Sequence, residues 1–235
     1  MGAIYRREMG SFFTSGLGYV FLTVFYAFSG YFFYTEVIES GISDTSPMFA
    51  SMFIMFLFLI PVLTMRLLSE EKKNRTDQGL LTAPISLWEI VLGKFFAAFT
   101  LFVIAECIVF VYALILRYLG SVVWASLIGN FTAMLFLGAA FIAIGIFVSS
   151  LTENQMAAAV VSFVVMLIFY LFDETLLIRV QDETFREILT ALSFRTRYYE
   201  FTKGVFSLSS IIFFLSTAFL FNFLTVRVLE KRRWS

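Results

Sequence analysis

The sequence predicts an all-α membrane protein with six transmembrane helices, a short cytoplasmic helix between spans two and three, and an outer amphipathic or re-entrant segment between spans five and six. Three observations carry that fold class. Hydrophobic residues make up 60% of the 235 and charged residues only 14%, with a mean hydropathy of +0.89, which is more apolar side chain than one water-surrounded core can take up. Six apolar runs reach or approach the roughly 20 residues a helix needs to cross about 30 Å of hydrocarbon. None of them alternates apolar and polar residues in the short segments that mark a membrane β-barrel.

Taken in order, the predicted spans cover residues 12–34, 48–65, 95–116, 125–148, 156–176 and 208–226. The first follows Arg6 and Arg7, but it is longer than a signal-peptide core and lacks a small-residue cleavage site, so it reads as a retained span. Gly138, Ala139, Ala143, Gly145 and Ser149 give the fourth a small-residue face for close helix approach. The 32 phenylalanines read as lipid-facing and packing groups. The whole chain, 1–235, reads as a single transmembrane domain without internal repeats or a soluble module.

Basic residues gather on cytoplasmic flanks, which orients the bundle. Arg6 and Arg7 precede span one, Lys72, Lys73, Arg75 and Lys94 fall between spans two and three, and Lys231, Arg232 and Arg233 close the chain. The loop 35–47 on the opposite side has Glu36, Glu39 and Asp44 and no base. Both termini are therefore expected in the cytoplasm. Arg179, Arg186, Arg195, Arg197 and Lys203 run against this pattern, but they lie in a long segment interleaved with Asp182, Glu183, Glu187 and Glu200.

The most informative stretch runs from Arg66 to Lys94, a charged island holding Glu70, Glu71, Lys72, Lys73, Arg75 and Asp77 between two apolar runs. Thr76 and Asp77 supply a cap and negative charge for a short helix. Leu80 and Leu81 give it apolar contact residues, and Pro84 ends it. Ser86 and Glu89 then have the spacing of a capping box for the next helix, with Ile85 and Ile90 placed as a hydrophobic staple. The surface this builds is one a soluble machine can grip.

The segments Ser69-Glu70-Glu71-Lys72-Lys73, Leu80-Leu81-Thr82-Ala83-Pro84-Ile85-Ser86 and Glu89-Ile90-Val91-Leu92-Gly93-Lys94 closely resemble the connection between spans two and three of ABC-2 type transporter permeases. Span count, span order and the position of the largest outer segment agree with that resemblance. The run Arg197-Tyr198-Tyr199-Glu200-Phe201-Thr202-Lys203-Gly204-Val205, with the closing Val228-Leu229-Glu230-Lys231-Arg232-Arg233-Trp234, looks like the gliding-motility-associated branch. The resemblance implies a permease subunit of an ATP-driven exporter in a bacterial plasma membrane. It also implies that a coupling helix, with Thr76, Asp77, Gln78, Leu80, Leu81, Pro84 and Ile85, docks on a separate ABC ATPase that holds ATP and Mg. A second permease copy or a related permease completes the path, and the branch is associated with a companion bearing a large outer domain. Gly79 departs from the family, which usually has a stronger helix former there; glycine costs roughly 1 kcal/mol relative to alanine.

Between spans five and six, Phe185, Ile188, Leu189 and Leu192 make an amphipathic helix, followed by an aromatic cluster, Tyr198, Tyr199, Phe201 and Phe206, that suits an interface belt. This outer segment serves as an anchor or as a gate on the path. Glu106 lies mid-span, where an acid costs about 3 kcal/mol on insertion scales. It is either a protonated acid hydrogen-bonded across a helix contact or, with Tyr198 and Tyr199, part of a translocation path.

Several function classes drop out. There is no histidine, which removes Ser-His-Asp triads and H-E-x-x-H zinc sites, and the lone Cys107 forms no intrachain disulfide. No G-x-x-x-x-G-K-[ST] loop is present, so ATP hydrolysis belongs to a partner and no cofactor or metal is expected on this chain. A net charge of zero offers nothing to nucleic acid, and the lipid bilayer is the obligate surrounding. The alternatives are a scaffold, channel or assembly factor, or an intramembrane enzyme using Glu106 or Asp173 with Glu174.

Overall fold

The computed structural model describes residues 1–41, 43–76, 78–79, 85–120, 122–176, 193–202 and 207–233, with backbone only for 172–176. Among these the chain is helical throughout. The helices are α1 (Gly2–Thr14), α2 (Leu17–Phe33), α3 (Ser46–Thr64), α4 (Arg66–Lys73), α5 (Leu87–Glu106), α6 (Ile108–Leu119), α7 (Trp124–Leu151), α8 (Gln155–Leu176), α9 (Phe194–Thr202) and α10 (Leu208–Arg233). Five stretches are long and apolar enough to cross a membrane: Leu17–Ile38, Ser46–Lys73, Leu87–Leu119, Trp124–Leu151 and Leu208–Arg233. A shorter apolar stretch of α8, Gln155–Leu171, stands where the fifth span is expected.

The first predicted span is corrected. Residues 12–14 belong to a separate helix, α1, which ends at Ser15 and Gly16; Gly16 has φ 75°, a left-handed conformation open to glycine, and α2 starts afresh at Leu17. The sequence reading missed α1 because its apolar face is only Ile4, Glu8 and Phe12, with a charge in the middle. A wide π turn, Tyr34–Ile38, extends α2 toward the loop before α3.

The second span is longer than expected, because α4 continues α3 after a single break at Met65, one turn beyond Pro61. A third helix repairs that break. The Ser149 hydroxyl of α7 accepts N–H bonds from Leu68 and Ser69, both at 3.1 Å, and donates to the Met65 carbonyl at 3.0 Å. Where one helix ends and the next begins, the first N–H groups of the new one and the last carbonyls of the old one lose helical partners, and the Ser69 hydroxyl joins Ser149 on the Met65 carbonyl.

Helix α7 is the hub, touching α3, α4, α5, α8, α9 and α10. Its small residues permit this, as the sequence predicts. A Cβ on Gly138 would stand 2.3 Å from the Phe102 ring, and one on Gly145 would stand 2.1 Å from the Thr64 hydroxyl. The phenylalanines divide as expected, with Phe12, Phe25, Phe49, Phe56, Phe102 and Phe141 buried and Phe28, Phe58, Phe96, Phe110 and Phe219 exposed on apolar outer faces.

Candidate functional site

At the α1 end of the bundle, three helices converge on a ring of charge. Lys94 of α5 is 1% exposed, and its Nζ lies 2.9 Å from Glu8 Oε1 and 3.0 Å from Glu71 Oε1. Arg7 closes the ring, bonding Glu8 at 2.7 Å and also pairing with Glu71. Two cations balance two carboxylates, which is the condition under which buried charge is tolerable. Burial works to raise the Glu8 carboxyl, but Lys94 and Arg7 outweigh it and hold it below its ordinary value.

This ring joins α1 to both flanks of the predicted coupling segment, with Glu71 before it and Lys94 after it. The sequence reading used Arg7 and Lys94 only as topological charges and did not single out Glu8. A signal was present: a carboxylate at the centre of the Ile4, Glu8, Phe12 stripe needs a buried partner.

Between the flanks, Asn74, Arg75 and Thr76 form a turn with Arg75 at φ 56°. Thr76 donates both its N–H, at 3.0 Å, and its hydroxyl, at 3.3 Å, to the Glu71 carbonyl, so it closes the end of α4. Gln78 and Gly79 are helical and exposed, while Asp77, Leu80, Leu81 and Pro84 lie outside the described residues. Ile85 precedes Ser86, which takes the N-cap position of α5 with extended backbone, but the expected capping box is not formed. The Ser86 hydroxyl makes no cap bond, and the Glu89 carboxylate lies 3.2 Å from the Met1 amino group instead. The ionic attraction outcompetes a neutral N–H donor.

At the other end of the bundle a polar cluster ties the loop before α3 to α7 and α9. Asp44 Oδ1 accepts from Ser126 Oγ at 2.6 Å, Ser46 Oγ at 2.9 Å and the Ser46 N–H at 3.1 Å. Burial works to raise the Asp44 carboxyl, and these bonds outweigh it, leaving it below its ordinary value. Asn130 donates to the Ser126 carbonyl at 2.8 Å, and its Oδ1 accepts from the Tyr198 hydroxyl at 3.3 Å.

One sequence expectation changes here. Tyr198 and Phe201 are each 1% exposed and packed in the core, Tyr198 edge-on to Phe53 at 5.4 Å, so they form no interface belt. A helix of only nine residues folded back onto α7 buries one side of itself. Tyr199 is partly exposed beneath the Arg195 guanidinium, while Phe206 and the helix expected around Phe185, Ile188, Leu189 and Leu192 lie outside the described residues.

Glu106 ends α5 beside the break at Cys107, fully buried, and neither carboxyl oxygen has a hydrogen-bond partner among the described residues. Of the two alternatives, the bond across a helix contact has no partner among the described residues. Tyr198 is buried like Glu106, while Tyr199 is partly exposed. Thr76 and Ile85 belong to the opposite end, since Leu87 and Glu106 are separated by about 28 Å of helix.

A family model for ABC-2 family transporter proteins matches residues 3–229. The chain belongs to the ABC-2 transporter family. This permease is the multi-pass, membrane-spanning subunit of an ABC transporter and not the ATPase, and its family implies association with an ABC ATPase subunit. No curated protein matches the chain.

Proposed function

We propose that the permease converts ATP hydrolysis on a partner subunit into export across a bacterial plasma membrane, with both its termini in the cytoplasm. The ATPase, carrying ATP and Mg, grips the segment of Thr76, Asp77, Gln78, Leu80, Leu81, Pro84 and Ile85. A second copy or a related permease faces this one across the path, with Tyr199 at its rim, and Glu106 and Tyr198, buried within the protomer here, join its lining when the helices part during transport. The likeness of 197–205 to the gliding-motility branch adds a companion with a large outer domain.

One observation carries this reading: buried Lys94 is bonded to both Glu8 and Glu71. Force applied to the gripped segment then moves α4, α5 and α1 as one unit. Coupling also requires that the segment bind the two ATPase states unequally, because equal contacts shift no equilibrium. Leu80→Asp or Leu81→Asp should leave membrane insertion intact, retain ATP hydrolysis and abolish nucleotide-dependent transport in proteoliposomes. Unimpaired transport would count against this segment as the gripped one, and a native complex without an ATPase would return the chain to a scaffold, channel or assembly factor.

A further inference from the structure

A cleft of about 200 Å³ opens between α1 and α4, its walls including Ser11, Arg66, Glu70, Glu71, Asn74 and Thr76. Its floor is the Arg7, Glu8, Glu71, Lys94 ring, whose charges cancel. The charges in its walls do not. Arg66 donates to two neutral hydroxyls, Ser15 at 2.6 Å and Ser11 at 3.0 Å, and lies over the Phe12 ring, but it meets no carboxylate among the described residues. A guanidinium has five N–H donors, so it has capacity left for an anion. Glu70 has no ion-pair or hydrogen-bond partner for its carboxylate among the described residues, and Glu71 Oε2 is buried without a partner while Oε1 serves the ring.

These groups are ordered along α4, which continues the membrane-spanning α3. Arg66 directly follows the apolar stretch that ends at Met65, which places it at the hydrocarbon edge. Glu70 stands about 6 Å farther along the helix toward water, and Glu71 one residue beyond. A phospholipid headgroup has the same order: its phosphate lies at the hydrocarbon edge and its amine farther out.

We propose that this cleft binds the phosphoethanolamine headgroup of a lipid in the adjacent leaflet, phosphate on Arg66 and primary ammonium on Glu70, with the unpartnered Glu71 carboxylate oxygen behind it adding negative potential. A primary ammonium brings three N–H donors to the Glu70 carboxylate. A choline headgroup brings none and is bulkier, and a glycerol headgroup has no positive end to meet the carboxylates. The site thus selects among lipids by headgroup chemistry, and it does so next to the coupling segment.

The test is native mass spectrometry of the permease released from nanodiscs holding equal amounts of phosphatidylethanolamine, phosphatidylcholine and phosphatidylglycerol. One phosphatidylethanolamine per chain should be retained about tenfold over the other two, the size expected from charge-assisted hydrogen bonds. Glu70→Gln and Arg66→Gln should each erase the preference, and Glu70→Gln removes no contact made among the described residues. Equal retention of the three lipids, or a preference that survives Glu70→Gln, overturns the assignment. If Glu70→Gln instead costs co-purification of the ATPase while lipid preference stands unchanged, the cleft takes a basic side chain of that partner, and the lipid assignment also falls.

Discussion

Lys94 and Glu106 stand about three turns apart on α5, both buried, yet they meet the cost of burial in opposite ways. Lys94 faces two carboxylates at 2.9 and 3.0 Å and is carried as an ion inside a neutral ring. Glu106 has no hydrogen-bond partner for either oxygen among the described residues, the arrangement that makes a buried polar group costly. Burial alone therefore says little about the role of a polar group in this bundle. Partnering separates a residue that fastens helices from one whose chemistry is left unused by the fold.

The largest test of that contrast is Lys94→Met. It leaves Glu8 and Glu71 sharing a site with only Arg7, and removing one partner of a buried pair typically costs about 3–5 kcal/mol. Denaturant unfolding of the detergent-solubilised permease should show that loss, and adding Glu8→Gln and Glu71→Gln should recover most of it. Wild-type stability in the single variant would mean the ring fastens nothing.

Ser149→Ala comes next, because it strips an uncharged but equally buried partner from two N–H groups and the Met65 carbonyl. About 1–3 kcal/mol should be lost in the same assay. Acid probes the ring more gently. The folded Glu8 carboxyl is held below its unfolded value, so its contribution is present above that value and fades as pH falls through the lower, folded one. Proteolysis of α1 should accelerate below about pH 4 and stay flat between pH 6 and 8. The smallest effect on stability belongs to Glu106→Gln, less than about 1 kcal/mol because no hydrogen bond is lost. Transport by that variant should nevertheless fall, and normal transport would remove its place on the path.

The fold was legible wherever a local property was enough. Five of the six apolar runs appear as stretches long enough to span, and the sixth as the shorter α8. The Gly138 and Gly145 face packs as its composition suggests, since removing Cβ atoms has the same consequence in any neighbourhood. The errors fell where two local signals competed with a distant one. Ser86 and Glu89 have capping-box spacing, but Glu89 is drawn to Met1. Tyr198 has the composition of an interface residue, but α9 folds it against Phe53 and Asn130.

By itself the sequence determined that this chain lives in lipid, where most of its spans fall and which flanks carry positive charge, because each follows from residues adjacent along the chain. Only the tertiary structure decided which charges meet. Glu8, Glu71 and Lys94 lie far apart in sequence, and their pairing depends on how α1, α4 and α5 pack. Partner choice in a helical bundle is made across helices, by distance and desolvation, and no periodicity within one helix encodes it.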